Sequence, residues 1–322
     1  MESRKKRILI ALDASGQAFE AVRYVGQMLP AGRAEITLFH VFNLIPEDLS
    51  DLRGTPEWLP QGVDFKTWEL QQRKSVEDFM EKSSMLLVSQ GYPEDAVKVL
   101  IKEREVGVAR DIMNLARRGY DALVLGRRGL SDLKGLLFGS VANKLVSHLQ
   151  EVPVWVVGGR PDPKKILIAM DQSQGALCAL EYVCEMFREN HPELLLFHVS
   201  KGFAVRGAAY DAPVLPNQDQ YWLEKTQEHF KRVEKEMEAV FRQSIKKMEQ
   251  KGIDASRIKT MIVPGVHSRA GAIFGEAREG GYGTIVVGRR GLSRVEEFFM
   301  GRVSSKVLQL ADEMAVWLVH HK

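Results

Sequence analysis

Two stretches of this chain carry glycines and arginines at a spacing suited to holding phosphate. Gly126-Arg127-Arg128-Gly129 is followed by nine residues (130–138) and then by Gly139-Ser140-Val141, where a helical pattern opens. Gly288-Arg289-Arg290-Gly291, nine residues (292–300) and Gly301-Arg302 repeat the arrangement. Glycine, lacking Cβ, lets backbone amides approach a ligand closely. A helix start adds N–H donors and the positive end of its dipole. The arginines can neutralise phosphate in a bidentate way, and the Ser140 hydroxyl can bond a phosphate oxygen or cap the helix. Each glycine alone also fits a plain tight turn. The full spacing, with both glycine pairs recurring, points to phosphate. No glycine-rich loop follows the first apolar run and no G-x-x-x-x-G-K-[ST] occurs, which excludes the dinucleotide fingerprint and the P-loop.

The elements that must position these residues also come in two copies. RILIALDAS at 7–15 returns as KILIAMDQS at 165–173, and PVWVV at 153–157 as AVWLV at 315–319. Such self-similarity marks a repeated structural unit. Apolar runs at 8–12, 36–41, 97–101, 121–125 and 153–157 read as strands, with helical patterns between them ending in 140–150. The second half repeats the order: strands at 165–170, 194–199, 258–263, 284–287 and 315–319, helices at 175–189, 220–251, 268–279 and 302–311. Gly158-Gly159-Arg160-Pro161-Asp162-Pro163 is a run of turn formers, so the domains are expected at 1–160 and 161–322. Alternating strands and helices predict an α/β fold of two tandem doubly wound domains, each a five-stranded parallel sheet with helices on both faces. Ligands of such sheets sit beyond the carboxyl ends of the strands. Asp13, His40-Val41 and the loop after Leu125 all fall there.

The pattern G-x-x-G, nine residues, G-[S/T], with an Asp after the first strand and His-Val ending the second, resembles the ATP-binding universal stress proteins. The resemblance covers both halves and is similar to the tandem-domain branch. It implies the adenine nucleotide alpha hydrolase-like fold and ATP as the ligand, with Mg2+ able to bridge the phosphates. It further implies that Asp13 lies beside the ribose and phosphate side and that the main chain of Val41 reads adenine. Gly126, Arg128 and Gly129 would hold ribose and phosphate, and Gly139, Ser140 and Val141 the terminal phosphates. The family's domains commonly pair through the last strand, so 153–157 and 315–319 could pair within the chain.

The second copy keeps Asp171, Val199, Gly288, Arg290, Gly291 and Gly301 but has Arg302 where the first has Ser140. Its spacer carries Glu296 and Glu297 against Arg294, whereas Asp132 and Lys134 balance in the first. Arg302 could reach a phosphate or fill its place as a built-in cation, so the first site is expected to be the stronger. His40 and His198 look catalytic but more often pack with one hydrogen bond. Trp58 and Trp68, and Tyr221 with Trp222, could be a lid, an interface or cover for an apolar helix face. Cys178 and Cys184, six apart on a helix, are expected to be reduced and packed.

A net charge of +3 over 322 residues gives no case for nucleic acid. The basic start Arg4-Lys5-Lys6-Arg7 precedes an apolar stretch too short for export, and no run approaches the ~20 residues that span a bilayer. A cytoplasmic nucleotide-dependent sensor or adaptor with an unidentified protein partner is the expectation, with any hydrolysis slow and incidental; homodimerisation is left open. The rivals are a slow ATPase or adenylate-transferring enzyme and a nucleotide-free interaction scaffold. Residues 13–16 read Asp-Ala-Ser-Gly rather than a pyrophosphatase-type Ser-Gly-Gly-x-Asp-Ser loop, and no general base or nucleophile constellation stands out.

Overall fold

A computed structural model describes residues 4–43, 65–128, 139–187, 192–201, 216–291 and 300–320. The long connections at 44–64 and 202–215, with Trp58, lie outside the described residues, as do Gly129, Glu296 and Glu297. The chain divides into two compact units, Met1–Arg160 and Pro161–Lys322. Among the described residues no helix is long and apolar enough to cross a membrane.

The first unit runs β1 (Lys6–Ala11), α1 (Gly16–Met28), β2 (Ala34–Phe42), α2 (Phe65–Ser89), β3 (Val97–Glu103), α3 (Val108–Ala116), β4 (Ala122–Gly126), α4 (Ser140–His148) and β5 (Val154–Val157). Its strands pair in parallel in the order β3-β2-β1-β4-β5. The second unit runs β6 (Lys165–Ala169), α5 (Gln174–Met186), β7 (Glu193–Lys201), α6 (Pro216–Gln250), β8 (Ile258–Val266), α7 (Arg269–Glu279), β9 (Thr284–Gly288), α8 (Arg302–Leu310) and β10 (Ala315–Val319). Its order, β8-β7-β6-β9-β10, is the same and again parallel.

The apolar runs need cover on both faces, and the helices supply it. In the first unit α1 and α2 pack together on one side of the sheet, while α3 and α4 pair on the other. The central strand residues Ile8, Leu9 and Ile10 are fully buried. Trp155 and Trp317 are fully buried on the last strand of each unit, edge-on to Tyr24 and Tyr182.

Several strands run past their expected ends, β8 furthest: expected at 258–263, it reaches Val266 through Pro264, with a register shift opposite Val199 and Lys201. A proline costs a ladder bond only on a paired side. β8 pairs with β7 alone among the described strands of its unit, so the proline amide position can face outward.

Gly126 and Gly288 have a packing reason of their own. A Cβ on Gly126 would lie 3.0 Å from the Gln17 carbonyl carbon, and one on Gly288 would lie 2.5 Å from that of Gly175. Each glycine therefore lets the first turn of α1 or α5 sit directly on the strand end. Because backbone rather than a flexible side chain is in the way, relaxation is limited. Overpacking of this kind costs about 1–3 kcal/mol. Gly288→Ala is expected to destabilise more than Gly126→Ala, read as a larger drop in the urea midpoint; equal drops would contradict the close-approach argument.

Candidate functional site

The chain passes from β1 to β2 on one side and returns to β4 on the other, so the connections diverge beyond the ends of β1 and β4. A crevice at such a point is where open α/β sheets bind ligands. In the first unit it is a cleft of about 120 Å3, lined by Asp13, Val41, Gly126, Arg128, Gly139, Ser140 and Val141. In the second it is a cleft of about 380 Å3, lined by Asp171, Val199, Gly288, Arg290, Gly291, Gly301 and Arg302. The second volume already falls within the ~300–1,000 Å3 range of small-molecule sites, and the first is narrower. Volume therefore does not favour the first cleft; what favours it is the chemistry of Ser140.

Each residue reaches its cleft for a local reason. Asp13 follows β1, and its Oδ1 accepts the Ser15 amide at 3.1 Å. Ser15 in turn caps α1 by accepting the Ala18 amide at 3.1 Å. Asp171, Ser173 and Ala176 repeat this with distances of 2.9 and 3.2 Å. Ala14, between Asp13 and Ser15, has φ +63°. That left-handed conformation costs an L residue roughly 1–2 kcal/mol, a strain placed at the cleft edge.

β2 overshoots β1. The last β1 pairing joins Ala11 to Phe39, and the Leu12 amide donates to the Phe39 carbonyl at 2.9 Å. Alternate residues of a strand turn their amide and carbonyl the same way. The polar main chain of Val41 thus points like that of Phe39, into the space where β1 has ended. In the second unit the Met170 amide donates to the Phe197 carbonyl at 2.8 Å, which turns Val199 likewise.

The helices start in two ways, and α3, which follows the uncapped Gly107, starts as α4 and α8 do. Ser15, Ser173 and Ser268 cap α1, α5 and α7 with side-chain oxygens. α4 and α8 instead begin at Gly139 and Gly301 with no side-chain cap. Ser140 is the exposed first residue of α4, so its hydroxyl does not cap the helix. The Asn143 amide is bonded to Gly139 at 2.9 Å, and the Gly139 amide to Arg127 at 3.3 Å. The amides of Ser140, Val141 and Ala142 come before the first helical bond and have no intrahelical acceptor. All three residues line the cleft.

The paired arginines divide. Arg128 and Arg290 are exposed and line their clefts, whereas Arg127 and Arg289 are 2% and 1% exposed and are not among the described lining residues. Neighbouring residues of an extended segment point to opposite sides. Arg127, expected to contact phosphate, is instead buried away from the cleft, and its main chain bonds Val157 and Gly139.

Sequence reasoning missed a third wall. Val108 and Ile112, on α3, line the first cleft, and Arg269 and Ile273, on α7, line the second at the same helical spacing. The repeated element order was the available signal. His40 also lines the first cleft, its Nδ1 2.8 Å from the Leu12 carbonyl; His198 makes the same bond to Met170 at 2.8 Å. A carbonyl only accepts, so Nδ1 carries the proton in both. Cys178 and Cys184 are free thiols, and burial pushes the second up to about 11.

A twice-wound parallel sheet with a cleft at each switch point defines a doubly wound α/β domain, present here in two copies. The model of the universal stress protein family matches residues 5–158 and 163–320. The chain belongs to that family, in tandem form, with the adenine nucleotide alpha hydrolase-like fold. The universal stress protein YxiE of Bacillus subtilis (strain 168) is 30% identical over 147 residues, 46% of this chain and 93% of its own. Universal stress protein Sll1388 of Synechocystis sp. is 29% identical over 147 residues, 45% of this chain and 92% of its own. A crystal structure of a universal stress protein from Archaeoglobus fulgidus DSM 4304 shares the fold across 98% of both chains, with TM-score 0.61 and 19% identity.

Burial is the largest effect on both histidines and lowers their pKa below the ordinary 6.5, against smaller opposing effects of the carbonyl bond and the neighbouring aspartate. A base with a depressed folded pKa binds fewer protons folded than unfolded, so its stability contribution is present above ~6.5 and lost as pH falls below it. Unfolding free energy is expected to decline between about pH 7 and pH 5.5. The double variant His40→Asn/His198→Asn keeps donors there and should flatten that decline; an unchanged slope would show that other groups set it.

Proposed function

We propose that this universal stress protein is a cytoplasmic ATP-binding sensor or adaptor whose conformation or protein partners follow nucleotide occupancy. The observation that carries this is the start of α4. Three amides without helical acceptors, the Ser140 hydroxyl and the Arg128 guanidinium all converge on one cleft. Anions bind helix N-termini through such amides and the dipole. The outward main chain of Val41 offers a donor and an acceptor suited to an adenine edge, and Val108 and Ile112 offer an apolar wall to its ring. Asp13, with Oδ1 held by Ser15, stands between those two ends, where a ribose hydroxyl would lie.

Mg2+ fits the first cleft as a phosphate-borne ion. Among the described residues no group of three His, Cys, Asp or Glu could hold a metal. Mg2+ keeps several waters and binds through one or two protein oxygens plus substrate phosphates. Asp13 and Ser140 offer such oxygens, and the ion would supply countercharge to the phosphates. His40 is held neutral with Nδ1 engaged, and no nucleophile pairs with it among the described residues, which supports slow hydrolysis at most.

Native mass spectrometry of the protein purified without added ligand is expected to show retained adenine nucleotide. Ser140→Ala, losing one hydrogen bond, and Gly139→Val, crowding the amides, should each weaken ATP binding about tenfold or more by calorimetry, with the fold intact by circular dichroism. No retained nucleotide and no binding of added ATP would favour the interaction scaffold. Turnover near ~1–10³ s⁻¹ would favour an enzyme.

A further inference from the structure

We propose that the second cleft takes its polyphosphate without a divalent cation, Arg302 and Arg290 supplying the positive charge that Mg2+ supplies beside Ser140 in the first. This rests on the nucleotide reading above and specifies the form of ligand that the second site accepts. Ser140 and Arg302 hold the same position, the first residue of a helix that follows an uncapped glycine. A serine hydroxyl has lone pairs to offer a metal ion. A guanidinium has five donors, no acceptor and a permanent charge. The exchange therefore removes an oxygen ligand and sets a fixed cation in the place where a metal-bound phosphate would sit.

The rest of the cleft changes in the same sense. Arg269 stands on the first turn of α7, where α3 carries Val108. Arg269, Arg290 and Arg302 are all exposed and line one cleft with Asp171 as its acidic residue. Among the described residues no carboxylate pairs with any of the three. Asp171 is partly committed, since its Oδ1 accepts the Ser173 amide at 2.9 Å. In the first cleft the described charges are Asp13 and Arg128, which balance. Among the described residues, three cations around one carboxylate disfavour Mg2+ and attract a bare polyphosphate. Because the arginines are exposed, the attraction is screened by salt, with a Debye length of about 8 Å at physiological ionic strength.

Calorimetric titration of the full chain with ATP, in Mg2+ and in EDTA, tests this. One site, the first cleft, is expected in excess Mg2+ and one, the second cleft, in EDTA, the EDTA site weakening as salt is raised. Arg302→Ser should weaken that EDTA site about tenfold or more and let Mg2+ restore it. Should Arg302→Ser fail to fold, Ser140→Arg serves as the reciprocal variant and should raise the EDTA stoichiometry to about two, as the swap predicts. Binding in Mg2+ alone, or an EDTA site that Arg302→Ser leaves unchanged, overturns the inference and spares the nucleotide reading. Absence of ATP binding in both buffers overturns both.

Discussion

The main chain of one residue in each unit holds the cleft together. The Arg127 amide donates to the Val157 carbonyl at 2.9 Å, and the Arg127 carbonyl accepts the Gly139 amide at 3.3 Å. The first bond continues the β4–β5 ladder one residue beyond β4. The second ties Gly139, at the start of α4, back to the end of β4. Arg289 makes the same pair of bonds, to Val319 at 2.8 Å and from Gly301 at 2.7 Å. Closing a loop costs entropy that grows only slowly with its length, so two backbone bonds suffice to fix where the helix begins. That single closure sets the height of α4 and α8 at the sheet end and hence the direction of their uncapped amides.

The closure works only if the helix on the other side of the strand can come close. Gly288 admits the backbone of α5 at a distance that excludes a Cβ, and Gly126 admits that of α1 at a distance tight for one. The same first turns carry Ser15 and Ser173, whose amides hold Asp13 and Asp171. A glycine that reads as ligand-facing in the sequence is thus also the support that seats the carboxylate opposite the loop. Strand end, helix start and acidic turn form one mechanical unit, and each copy preserves all of it.

Much of this was legible in the residues. Apolar runs, turn formers and the repeat located every strand and helix of both sheets, because a strand buried on both faces leaves an uninterrupted apolar signature. The cleft residues followed from their position at strand ends. Three features were hidden. The two arginines of Gly-Arg-Arg-Gly look equivalent in sequence, and only an extended backbone separates one that is buried from one that faces the cleft. Val108 and Arg269 carry no motif and become visible only when α3 and α7 are seen against the strands. The end of β8 was the third, since a strand carrying Pro264 continues only because it lies at the sheet's edge.

The differences between the copies then fall into a pattern. Main-chain geometry is conserved between them almost bond for bond, while side chains that face the cleft are exchanged at Val108 and Arg269, and at Ser140 and Arg302. A cleft whose shape is fixed by backbone hydrogen bonds can change charge without losing its architecture, because an exposed side chain at a helix start supports no packing. The Ala14 turn is the exception, a difference in the main chain itself. The first copy tolerates a left-handed alanine beside Asp13, whereas the second places Gln172 there without a positive φ. Strain kept at a site edge persists only where surrounding bonds over-determine it, and here the Asp13–Ser15 and Ser15–Ala18 bonds do so. The scaffold and the ligand chemistry are therefore separable in this protein, and the separation runs between the main chain and the side chains that face each cleft.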